Sequence, residues 1–173
     1  MRFWISTIAL VGLAVVILLA MRRGWLGRSG RTAAVVGPLP EAPLSLGTAR
    51  TAPFDATYVG STTAGEWLER IAGQGLGSRA AGSIQLFETG LQVVRQGTDD
   101  VYIPADRIAA VRFDRGHAGK VASSRRLVVV TWRLEIAVES GFLLRNDEQA
   151  HELVTALENV IGHNQHNQQK EAG

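Results

Sequence analysis

The chain has 173 residues, room for one or two small domains, and carries 18 Lys and Arg against 16 Asp and Glu, a formal net charge of +2. It has no cysteine, which excludes a disulfide-stapled scaffold, a Cys-ligated zinc site, an iron–sulfur cluster, a thiol nucleophile and a lipidated Cys anchor. A hydrophobic fraction of 46% is too high for a wholly disordered chain.

Residues 3–21, FWISTIALVGLAVVILLAM, contain no charge. Coiled as a helix at about 1.5 Å per residue, they span roughly 28 Å, close to the ~30 Å hydrocarbon core of a bilayer. Ser6, Thr7 and Gly12 are tolerated in such helices, and Trp4 and Trp25 flank the run as an aromatic belt does. Apolar residues face every side, so the run is no amphipathic surface helix. The competing reading is a cleaved signal peptide. Its apolar core is usually about 7–15 residues long, and no Ala-x-Ala site occurs between Ala20 and Ala56. The sequence therefore predicts a transmembrane anchor over residues 1–21. Arg22, Arg23, Arg28 and Arg31 follow it, against Arg2 alone before it. Arginine stays in the cytoplasm, so the expected topology is a single pass through the plasma membrane with the N-terminus outside and the C-terminal bulk in the cytoplasm. Those juxtamembrane cations are also drawn to anionic headgroups, by about 1 kcal/mol each.

Residues 22–53 show no sustained period and are rich in Gly and Pro, among them Pro38, Pro40, Pro43 and Pro53. Such density breaks helix and strand alike, so the segment reads as a basic spacer. A folded unit is expected over residues 54–162. Ser83–Phe87 and Leu91–Arg95 alternate across a Glu88-Thr89-Gly90 turn and read as a hairpin. Val101–Pro104 and Ile108–Arg115 follow as strands. Leu127–Trp132, LVVVTW, reads as a buried strand. Leu134, Ile136 and Val138 alternate, and Phe142–Leu144 adds a further short strand, for about seven in all.

Two helices are expected among them. Gly65–Ala72 places Trp67, Leu68 and Ile71 on one face and stops at Gly73 and Gly75. The second begins at Asn146 as N-cap with Gln149 three residues on. Its apolar stripe is Ala150, Leu153, Val154, Leu157, Val160 and Ile161, with Gly162 at C′. Residues 163–173 read as a polar, disordered tail.

Strands in that number followed by one amphipathic helix are the order of a pleckstrin-homology-like (PH-like) barrel. The stretches TYVGSTTAGEWLERIAGQGLGSR, VYIP, DRGHAGK, LVVVTW and SGF resemble the PH-like domain proteins of actinobacteria. Those are small proteins with one N-terminal membrane helix, often labelled only as export or membrane proteins. The resemblance covers roughly Thr57 to Ile161. It implies a mainly β barrel or sandwich capped by the C-terminal helix, and it implies no activity.

No catalytic motif assembles. Gly116–Val121 has a Gly-Lys pair without the spacer or the Ser/Thr of a phosphate loop. Gly75–Ala80 fits G-x-G-x-x-A, but between a helix and a strand, the reverse of a dinucleotide site. His151-Glu152 begins a metalloprotease-like motif whose second histidine is Thr155. His163 and His166 lie in the polar tail without partner ligands. Glu135 and Glu139 read as solvated groups on an outer strand face. The chain is accordingly expected to be no enzyme and to hold no cofactor and no metal. One feature remains, the run 112–126, RFDRGHAGKVASSRR. There Arg112, Arg115, Lys120, Arg125 and Arg126 face Asp114 alone. It is a candidate contact for anionic lipid or a phosphorylated ligand.

Charge is unevenly divided. Residues 1–53 hold six Arg and one acid, whereas residues 54–162 hold 11 basic and 14 acidic side chains. The basic balance belongs to the anchor and spacer, which argues against nucleic acid. The expected role is a membrane-anchored, non-enzymatic module that binds a protein partner or anionic lipid at the inner membrane face. The alternative is an accessory subunit of an export or transport system.

Overall fold

The computed structural model describes residues 10–22, 36–66, 68, 70–114, 116–117, 120–121 and 127–171. Residues 10–22 form helix α1, about 20 Å long, and every one of them is exposed. Among the described residues no helix is long and apolar enough to cross a membrane. The first part of the expected span, residues 3–9, lies outside the described residues.

The folded unit is a seven-stranded antiparallel sheet. In chain order its strands are β1 (Phe54–Thr63), β2 (Ala80–Leu86), β3 (Gly90–Arg95), β4 (Val101–Pro104), β5 (Ile108–Asp114), β8 (Leu127–Arg133) and β9 (Ala137–Leu144). In space they run β4-β3-β2-β1-β9-β8-β5. A two-stranded ribbon, β6 (Gly116–His117) and β7 (Lys120–Val121), leaves the end of β5, and β6 lies against β1. Helix α2 (Asp147–Glu171) packs chiefly on β5. The order expected from the resemblance is therefore present, a sheet capped by the C-terminal helix.

Sequence pattern explains most of this. On β8, Val128, Val130 and Trp132 enter the main core, while Leu127 and Val129 join Val59 and Leu143 in a second cluster on the opposite face. Both faces are covered, so the strand reads as a continuous apolar run. On α2, Ala150, Leu153, Val154, Leu157 and Val160 are buried as the stripe predicts. The Asn146 Oδ1 accepts from the Gln149 N–H at 2.8 Å, capping the helix. Gly82 is needed where β2 meets β3, because a Cβ there would stand 1.9 Å from the Val94 carbonyl oxygen.

Five expectations change. First, β1 is a strand that the sequence pattern does not announce, because Thr57, Ser61, Thr62 and Thr63 resemble loop residues. Phe54–Tyr58 pair with β2 on one edge, Ala56–Thr63 pair with β9 on the other, and the register with β9 shifts between Tyr58 and Gly60. Second, the expected helix Gly65–Ala72 is absent among the described residues of that stretch. Instead Thr62 bridges Arg70, the Ile71 N–H donates to the Ser61 carbonyl at 2.9 Å, and the Ser61 N–H donates to the Leu76 carbonyl at 2.8 Å. Beyond Tyr58, β2 no longer pairs with β1, and these bonds satisfy the exposed edge. A short 3-10 turn, Gly73–Gly75, follows. Third, the two strands expected between Leu134 and Leu144 are one. Leu134–Ile136 is the turn into it, and Gly141 continues the ladder opposite Gly60 and Val129.

Fourth, α2 does not stop at Gly162, and residues 163–171 are helical rather than a disordered tail. A mid-helix glycine costs only about 1 kcal/mol. The Asn164 Nδ2 donates to the Ala105 carbonyl at 2.7 Å and ties down the next turn. Fifth, residues 36–53 of the expected spacer lie on the domain as a strap. Val36 is buried in the core, the Gln74 amide donates to the Gly37 carbonyl, and the Leu86 N–H donates to Thr51 Oγ1 at 3.1 Å.

Candidate functional site

The basic run 112–126 begins on the outer face of β5. Register places Arg112 opposite Val129 and Asp114 opposite Leu127, with Glu139 two rungs away on β9. From there the Arg112 guanidinium makes a bidentate pair with Glu139, Nη1 to Oε1 at 2.8 Å and Nη2 to Oε2 at 3.0 Å. It also reaches Asp114 Oδ2 at 3.1 Å. The hydrogen bond to Glu139, reinforced by the two carboxylate charges, holds the Arg112 pKa above its ordinary value. Glu139 is not the solvated group that strand alternation suggests. It is buried, because this pairing lets the carboxylate leave water. Arg112 is thus occupied by carboxylates of its own chain, unlike a cation held ready for an anion.

Of the other expected contacts, Arg115, Arg125 and Arg126 lie outside the described residues, and only the backbone of Lys120, in β7, is described. Among the juxtamembrane cations Arg22 ends α1 exposed, and Arg23, Arg28 and Arg31 lie outside the described residues. Trp67 does too, whereas Trp132 is fully buried. Among the described residues no group of three or more metal-ligating side chains comes together.

Sequence reasoning misses a polar chain inside the sheet. The Tyr58 hydroxyl donates to the Leu76 carbonyl at 2.9 Å and meets Ser61 Oγ at 2.7 Å. Ser61 Oγ meets Ser140 Oγ at 2.6 Å, which accepts from Trp132 Nε1 at 2.9 Å. Arg95 lies over the Tyr58 ring, 4.7 Å from its centroid. The only sequence signal for this chain is period: on β9, Ser140 falls at the inward positions of Val138 and Phe142. Its partner Ser61 sits beyond an irregularity in β1 that no sequence pattern marks.

Burial pushes the Tyr58 phenol up to about 12, against lesser lowering by Ser61 and Arg95. A phenol whose pKa is raised on folding keeps its full contribution below pH 10 and loses it as pH rises towards 12. Stability is therefore expected to fall by about 1.4 kcal/mol per pH unit across that window. Ultraviolet titration of a Tyr102→Phe variant, which leaves Tyr58 as the sole tyrosine, checks this. A tyrosinate band with its midpoint near pH 10 in the folded protein contradicts it.

The outer face also carries a shallow depression of about 460 Å³ over β1, β2 and β9, floored by Ala56, Thr57, Ala81 and Gly82. An exposed ion pair at 2.9 Å between Asp55 and Arg145 borders it.

A family model described as bacterial PH domain-like matches residues 36–158. The match begins at Val36, where the strap enters the core. It carries the fold and gives no support to a membrane-protein label. No curated protein matches the chain. Among solved structures the chain is similar to Inner Membrane Complex Sub-compartment Protein 3 from Toxoplasma gondii, at 18% identity over 65% of this chain and 77% of that one, with a TM-score of 0.39. A likeness that distant says nothing of function.

Proposed function

The chain belongs to the bacterial PH domain-like family, and on that premise we propose that it is a membrane-anchored, non-enzymatic module that binds a protein partner at the inner membrane face. The observation that carries the anchor is α1: all its side chains are exposed, from Leu10 to Met21, although nearly all are apolar. A domain with a complete core of its own has no use for that surface, whereas a bilayer covers it. In the sequence the uncharged run extends seven residues further upstream, to Phe3. The arginines that follow it in the sequence support a cytoplasmic domain. An accessory subunit of an export system is a special case of this reading, since one helix forms no transport path.

Anionic lipid is the second ligand the sequence suggests. With Arg112 committed to Glu139 and Asp114, that role falls to Arg115, Lys120, Arg125 and Arg126. One experiment separates anchor from loop. The full chain is expected in the membrane pellet after alkaline extraction, and a variant lacking residues 2–22 in the soluble fraction. That shortened protein is then expected to sediment weakly with phosphatidylglycerol vesicles, less so with added salt. Arg125→Glu/Arg126→Glu should abolish the residual binding. Full-length protein in the soluble fraction overturns the anchor, and unchanged vesicle binding by the double variant overturns the loop.

A further inference from the structure

We propose that the outer edge of β5 docks an extended, basic segment of a protein partner as an eighth strand of the sheet. This names the partner chemistry of the module proposed above and rests on that reading. The sheet ends at β4 on one side and β5 on the other. β4 is four residues long, its first three residues are buried, and Pro104 closes it. β5 is seven residues long, and all but Ile108 are partly or wholly exposed. Among the described residues, the backbone of residues 109–113 makes no hydrogen bond beyond its ladder with β8.

Exposed edges are usually blunted by Lys, Pro or an edge-facing charge. β5 has no Lys and no Pro, and its one cation, Arg112, is drawn across the sheet face onto Glu139 and Asp114. The register shift between Ile108 and Ala110 disturbs only the start of the strand. What remains is a row of backbone donors and acceptors, which another extended backbone satisfies best.

The neighbouring helix supplies the charge preference. α2 packs on β5, and the rings of Phe113 and His151 stand 4.7 Å apart. At three, four and seven positions from His151 stand Asp147, Glu148, Thr155 and Glu158, all exposed, and Val154, which turns into the core. A strand added to β5 therefore runs beside three carboxylates. Basic side chains on that strand gain from the field, and acidic ones are repelled.

The probe is a ten-residue peptide of alternating Val and Lys, added to the full chain in detergent micelles. The readout is hydrogen exchange in residues 108–114. Exchange there is expected to slow by about tenfold or more, as for amides newly joined to a ladder. The Glu148→Lys/Glu158→Lys variant is expected to weaken the effect by about tenfold. Three results overturn the proposal. The first is no slowing. The second is equal slowing by an alternating Val/Glu peptide or by a Val/Lys peptide N-methylated at every second residue. The third is an edge already protected in a dimer, which makes a second copy the occupant. Detergent removes any need for a bilayer, so a chain found soluble in the cell but protected at β5 loses its anchor and keeps its docking strand.

Discussion

Trp132→Ala is expected to lower the unfolding free energy by about 3–5 kcal/mol, a large part of what holds a domain of this size together. The indole is fully buried in β8, between Val130 and the turn into β9, and it faces the main core. Truncation removes its packing and leaves a cavity that the surrounding strands fill only in part. It also removes the Nε1 donor from Ser140 Oγ, at the end of the chain through Ser61 to Tyr58. Trp132→Phe separates the two losses. It keeps most of the ring volume and drops the hydrogen bond, and should cost about 1–2 kcal/mol. Urea denaturation followed by circular dichroism measures both. Equal costs for the two variants would mean that the lost hydrogen bond matters more than the lost packing.

How much is legible in the sequence varies by element for physical reasons. β2, β3 and β4, the run LVVVTW and the start of α2 are legible because each buries a regular apolar pattern, and period reports burial directly. β1 is not, because its second half buries Ser61 and Thr62, and Ser61 finds its hydroxyl partner, Ser140, far along the chain. Residues 64–72 mislead because Trp67, Leu68 and Ile71 have helical spacing, whereas the edge of β1 demands backbone partners. The same limit applies to the site. The count of cations in 112–126 is readable, but the pairing of Arg112 with Glu139 is not, since it needs the register of β5, β8 and β9. Nor does composition distinguish a free spacer from the strap 36–53, which is anchored by single contacts such as Val36 and Thr51.

Arg95→Ala is expected to cost about 2–4 kcal/mol and to loosen two loops at once. Arg95 is 4% exposed at the end of β3. Its guanidinium donates to the Gly75 carbonyl at 2.8 Å through Nη1 and to the Asp99 carbonyl at 2.7 Å through Nε. It therefore pins the segment after β1 to the turn between β3 and β4, above the Tyr58 ring. Among the described residues no carboxylate pairs with that guanidinium, so the buried charge is offset by carbonyl dipoles and the ring face alone. Removing it has two opposing effects, relief of a desolvated cation and the loss of its bonds. Arg95→Met decides between them, because it keeps an apolar stem over Tyr58 and removes the charge. We expect it to cost less than the alanine variant, about 1–2 kcal/mol, since the released carbonyls lie in turns that water reaches. Hydrogen exchange in residues 73–79 and 97–100 should rise in both variants. Arg95 lowers the Tyr58 pKa, so either variant should move that phenol further above its value of about 12. If Arg95→Met is as stable as the parent and its loops stay protected, the buried cation contributes nothing net to folding and the latch is refuted.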